Sequence, residues 1–163
     1  QLDYFGKLSA QFPIAKLRVI YGASGTLLTA CILQDRKAII ESKVYSTVVD
    51  TQLEAYYLCA VLNSGTSLSM IADKQSRGQW GPRDFHKVVF SLPIPLFDPT
   101  NALHQKLATL AARADNVASS VRLQENIKFV SARQRIRKAL TEDGVANEID
   151  KAVAELLGVK HPV

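Results

Sequence analysis

Apolar positions recur with a period of two in the first third of the chain and with a helical period in the last third. Lys16–Tyr21 places Leu17, Val19 and Tyr21 on one face, the pattern of a half-buried strand. Gly22-Ala23-Ser24-Gly25 reads as a turn and is followed by the apolar run Thr26–Leu33. Gln34-Asp35-Arg36 is polar and turn-like, and the β-branched segments Lys37–Ile40 and Lys43–Val49 read as further strands. The expected arrangement is a meander, or several strands of a mixed sheet.

At Asp50-Thr51 the period changes. Thr51 with Glu54 three residues later forms a capping-box pattern. Leu53, Tyr56, Tyr57, Ala60 and Val61 follow at helical spacing, and Asn63-Ser64-Gly65 supplies the stop. Ser67–Ala72 is compatible with a short helix, and a polar, glycine-punctuated segment spans Asp73–Asp84. Val88, Phe90, Leu92 and Ile94 then alternate as a strand, which Pro93 and Pro95 demote to an edge. From Asn101 the chain turns helical. Leu103, Leu107, Leu110, Ala114, Val117 and Val121 step alternately by four and three, a seam that predicts a long helix packed along a partner helix. A phase-shifted continuation passes through Phe129, Ala132, Ile136 and Leu140 to a break at Gly144. A last amphipathic helix from about Asn147, with Ile149, Val153, Leu156 and Leu157 on one face, ends at Gly158. The fold class expected is α+β: a sheet-bearing globule over residues 1–99 and an antiparallel, spacer-like helical extension over 100–163.

Composition narrows the class. Of 163 residues, 47% are hydrophobic, too many for a disordered chain, and no apolar run approaches the roughly 18–20 residues that span a bilayer. The chain begins Gln1-Leu2-Asp3-Tyr4-Phe5, without an initiator Met or signal peptide, so it is expected to be a piece of a longer protein. Cys31 and Cys59 form no CxxC pair, which fits a reducing, cytoplasmic setting. Charge is unevenly placed. Arg122, Lys128, Arg133, Arg135, Arg137 and Lys138 share a stretch whose only acid is Glu125, enough to account for the whole net charge of +5. Such a cluster suits a polyanion, since each neutralised phosphate releases counterions; the alternative is the solvated face of a helix.

Catalytic constellations are absent from the pattern. His86, His104 and His161 have no metal-ligand spacing and read as surface or capping residues, and there is no HExxH, GxSxG or P-loop motif. The chain is expected to be non-catalytic by itself, with no metal site. The polar loop offers more. Gln75, Arg77, Gln79, Trp80, Arg83, His86 and Lys87 are interleaved with Gly78, Gly81 and Pro82. Arg pairs bidentately with a guanine edge and Gln with an adenine edge, each worth about 1–3 kcal/mol of discrimination. An ordinary surface turn with Trp80 folded over the core is the competing reading.

The series Ala55-Tyr-Tyr-Leu-Cys-Ala-Val-Leu-Asn-Ser64, Gly78-Gln-Trp-Gly-Pro-Arg-Asp-Phe-His-Lys87, Phe90-Ser-Leu-Pro-Ile-Pro-Leu-Phe-Asp98 and Leu103-His104 resembles the C-terminal specificity region of bacterial DNA adenine-N6 methyltransferases of large restriction–modification proteins. It is similar in the same order to the target-recognition domains of type I restriction specificity subunits. The resemblance covers about residues 37–122. It implies a domain that reads duplex DNA while a separate catalytic domain of the same parent chain binds S-adenosylmethionine and methylates a flipped adenine. The family's cofactor motif and asparagine-proline-proline-aromatic motif are not in this sequence, and there is one recognition unit where specificity subunits have two. In this reading Gln75, Arg77, Gln79, Trp80, Arg83, His86 and Lys87, with Tyr45 at a strand end, face bases and nearby phosphates. Lys128, Arg133, Arg135 and Lys138 track the backbone or dock on the parent protein. The rival is a helical module over Leu103–Leu157 that binds a partner subunit without touching DNA.

Overall fold

The computed structural model describes every residue except 1–2, 42, 79–80 and 161–163; for Tyr4, residues 76–78 and 81–83, and His86 it describes the backbone alone. The fold is α+β. A three-stranded antiparallel sheet is built from β1 (Arg18–Gly22), β2 (Ala30–Leu33) and β3 (Val44–Val48) in the order β2-β1-β3. With β1 central and every pairing antiparallel, the sheet is neither a meander nor mixed: the segment after β2 crosses to the far edge before β3 begins. Val19 and Tyr21 point into the core as their alternation predicts.

The Lys37–Ile40 segment forms no strand, because side chains satisfy its backbone. Gln11 donates through Nε2 to Ile40 O at 2.8 Å and accepts from Ile40 N–H at 2.7 Å. Buried Arg18 donates through Nη2 to Asp35 O at 2.8 Å and Ala38 O at 3.0 Å. Those groups are therefore spoken for without a ladder. Of the apolar run Thr26–Leu33, the second half alone is strand, while Leu28 drops into the core.

Helix α1 (Gln52–Asn63) starts as its sequence predicts. Thr51 accepts from Glu54 N–H at 3.1 Å, and the Glu54 carboxylate reaches back to Asp50 N–H at 3.0 Å. Ser64 ends α1 and caps α2 (Gly65–Ala72), accepting from Ser67 N–H at 3.0 Å. Residues 86–94 depart from the strand pattern. His86–Ser91 is a 3-10 helix in which Val89 is buried and Phe90 exposed, held by Val88 N–H to Phe85 O at 2.8 Å and Leu92 N–H to Val89 O at 3.1 Å. Pro93 and Pro95 lack the amide donors a ladder needs.

Asn101 caps α3 (Ala102–Ser120), accepting from Leu103 and His104 N–H. Helix α4 (Phe129–Asp143) and α5 (Val145–Leu157) meet at Gly144, whose φ of 87° is the left-handed conformation the predicted break requires. Two apolar clusters share α1. Ala55, Cys59 and Leu62 face the sheet, Ile71 and Phe85, whereas Tyr57, Ala60 and Val61 face α3 and α5. A helix buried on two sides is apolar nearly all round, and α1 is. The partner of the α3 seam is thus α1, with Leu107 and Leu110 buried between them and α5. The seam does not run on into α4. The helix ends at Ser120, and no residue of α4 is buried.

Candidate nucleic-acid interface

Gly78 and Gly81 fall where the polar loop folds back on itself. Strands β4 (Ser76–Gly78) and β5 (Gly81–Asp84) pair antiparallel, Arg77 opposite Pro82 and Gly78 opposite Gly81, with a bulge at Ser76/Arg77. A bulge twists such a ribbon and re-aims its side chains. The ribbon is rooted at the end of β1, where Ser24 bridges to Asp84 and Phe85 N–H donates to Ala23 O at 2.9 Å. Fully buried Phe85 plugs this junction. The polar, glycine-rich segment 73–84 therefore sits on a fixed base.

Gln79 and Trp80 lie outside the described residues, as do the side chains of Arg77, Arg83 and His86. Lys87 is exposed at the start of the 3-10 helix. Gln75 is buried, with its Nε2 unpartnered among the described residues; from there it reaches no base edge and belongs to the ribbon's footing. Tyr45 is half-buried on β3, stacked on its cross-strand neighbour Tyr21 at 5.3 Å and met edge-on by Phe90 at 6.0 Å. Burial, with the Tyr45 phenol adding to it, pushes the Tyr21 hydroxyl up to about 12. Tyr45 thus belongs to an aromatic stack whose outer ring, Phe90, is 67% exposed.

The basic stretch splits. Lys128 is exposed at the α4 N-cap, Arg135 is exposed, and Lys138 is exposed and 3.6 Å from Glu142. Arg133 lies over the Phe129 ring at 5.4 Å and, with Arg137, lines a groove beneath α4 that Arg135 and Lys138 do not line. Helix α4 packs on α3 and α5 and has no comparable packing with β4 or β5 among the described residues. The structure therefore brings the ribbon, Lys87 and the Tyr45 stack into one region, while the α4 cations sit on an element packed on α3 and α5.

Two anchors escaped sequence reasoning. His104 is buried, not a surface residue: its Nδ1 accepts from Asp98 N–H at 3.0 Å, and its ring lies 4.7 Å from Tyr57 and 6.1 Å from Phe97. Tyr57 donates to Pro95 O at 2.9 Å. Together they clamp the proline-rich segment onto α1 and α3. Only the helical spacing of Tyr57 hinted at this. Among the described residues no group of three or more His, Cys, Asp or Glu side chains is placed to hold a metal, and no helix is long and apolar enough to cross a membrane. No protein-family model matches the chain, and no curated protein matches it significantly.

Proposed function

We propose that this chain is the sequence-reading domain of a DNA adenine-N6 methyltransferase of the restriction–modification type. It binds duplex DNA in the cytoplasm and leaves methylation, with S-adenosylmethionine, to a catalytic domain of the same parent chain. The observation that carries the reading is the rooted two-stranded ribbon of β4 and β5, which bears Arg77 and Arg83. The major groove of B-DNA admits a two-stranded ribbon, and Arg is the side chain best matched to a guanine edge there. Support also comes from the exposed cations Lys87, Lys128, Arg135 and Lys138, which suit phosphate contacts. Arg133 is not among them, because it faces the groove under α4.

The test is a titration of the full chain against random and defined duplexes at rising salt. Binding is expected at low salt and falls steeply as salt increases. Arg135→Gln with Lys138→Gln weakens binding to every sequence alike and lowers the salt slope by about one unit for each phosphate that is no longer neutralised. Arg77→Ala or Arg83→Ala instead flattens the preference among sequences. Absence of binding to any duplex at low salt overturns the reading.

A further inference from the structure

A cavity of ≈ 960 Å³ opens between α4 and the layer formed by β2, α1 and α3. Its floor carries the small, half-buried side chains Ala114 and Ala118 of α3, and its α4 wall carries Ile136 and Leu140 flanked by Arg133 and Arg137. Among the described residues neither guanidinium has a carboxylate within ion-pair distance. The two acids lining the cavity are held by neighbours in the same lining: Asp115 accepts from the Tyr56 hydroxyl at 3.4 Å, and Asp150 from Gly65 N–H at 2.7 Å. Arg137 is exposed as a whole, yet partial desolvation of its guanidinium, with Arg133 alongside, holds its pKa below the ordinary value. A negative charge beside each would relieve that repulsion. Helix α4 packs on α3 and α5 without fully burying any residue, and its C-terminal end is tied down by Arg113, which bridges Asp143 at 2.7 Å and Glu148 at 2.8 Å.

We propose that this groove receives an amphipathic helix of a partner protein, apolar on one face and carrying two carboxylates one turn apart that pair with Arg133 and Arg137. Charge complementarity selects the occupant. Arg133 and Arg137 are four residues apart on α4, about 6 Å along the axis, the same repeat that places Glu side chains at i and i+4 on one face of a docking helix. A single-headed amphiphile meets only one of the two. The alanine floor lets a helix backbone approach closely, and the apolar walls bury its other face, the helix-in-groove mode of recognition. This surface excludes Arg135, Lys138 and the β4–β5 ribbon, so the inference stands or falls separately from DNA reading.

Cys31 provides the readout, since it is exposed and lines the groove while Cys59 is buried. The probe is a leucine–alanine helical peptide with Glu at i and i+4, compared with versions carrying Gln or Lys there, and with laurate. At ten times its Kd, the Glu peptide is expected to slow alkylation of Cys31 by iodoacetamide about ten-fold. Arg133→Gln with Arg137→Gln abolishes that protection, with the circular dichroism spectrum and melting curve unchanged. The double reversal to Glu transfers the protection to the Lys peptide. Equal protection by the Gln peptide, protection by laurate alone, or none by any peptide overturns the proposal. The comparison among peptides on the unaltered protein decides the matter even where a variant fails to fold.

Discussion

The Asn63 carboxamide accepts from Ala30 N–H at 3.0 Å and donates to Ala30 O at 2.9 Å and Cys59 O at 3.0 Å. Asn63 therefore pairs with the first residue of β2 as a neighbouring strand would, while its second donation closes the last turn of α1. Its place as a helix stop is legible from Asn63-Ser64-Gly65, but the strand it completes lies 33 residues away, beyond any local pattern. Asn63→Ala is expected to cost about 1–3 kcal/mol, read as a fall in the urea midpoint. Asn63→Asp turns the donor into an acceptor facing two carbonyls, and is expected to cost at least as much. A midpoint unchanged in both variants contradicts this role. Thr51 and Glu54 behave as their spacing predicts because a cap is a contact among near neighbours.

At the scale of elements, local pattern succeeds where an element's own periodicity decides which face is buried. Helix α3 and helix α5 show it, with Leu107 and Leu110 on one and Ile149 and Val153 on the other buried as read. It fails where another part of the chain takes over the backbone, as Gln11 and Arg18 do for residues 35–40, or where two prolines remove donors, as after Leu92. Helix α4 is the instructive intermediate. Its apolar positions Ala132, Ile136 and Leu140 are half-buried and Phe129 is 72% exposed, so it has the spacing of a packed helix without the burial. Helical stability in proteins comes mainly from tertiary packing, and sparsely packed elements open most readily. Amide exchange is therefore expected to be fastest in α4 among the five helices, and Arg113→Ala is expected to speed it further at Thr141–Asp143. Equal protection of α4 and α1 would contradict the picture.

For the molecule as a whole, the shared position of α1 couples the two apolar clusters, and three ionisable groups report on their integrity. Burial pushes the Tyr57 hydroxyl up to about 12, and likewise the Tyr21 hydroxyl, where Tyr45 adds to the effect. Burial, followed by Cys31 and Asp115, raises the Cys59 thiol to about 12. Each group stays neutral in the fold to a higher pH than in the unfolded chain. Their contribution to stability is full below the unfolded values, near 9 for the thiol and 10 for the phenols, and is lost as pH rises toward 12. The urea midpoint is expected to decline across that window, and Tyr21 and Tyr57 to ionise late in an absorbance titration. A midpoint flat through the window, or no phenol ionising late, would contradict it.

The α+β class, the bounds of α1 and α3, the end of α5 at Gly158 and the break at Gly144 were determined by the amino-acid sequence itself, because caps, breaks and helical spacing act within a few residues. So was the fold-back of the polar loop, whose glycines sit at its turn. Tertiary structure decided the strand order, the burial of Gln75 and His104, and the division of the basic stretch into outward cations and a pair facing a groove. Those outcomes depend on which distant segment arrives at each side chain, and charge or hydropathy along the chain is the same whichever face of a helix the rest of the molecule covers.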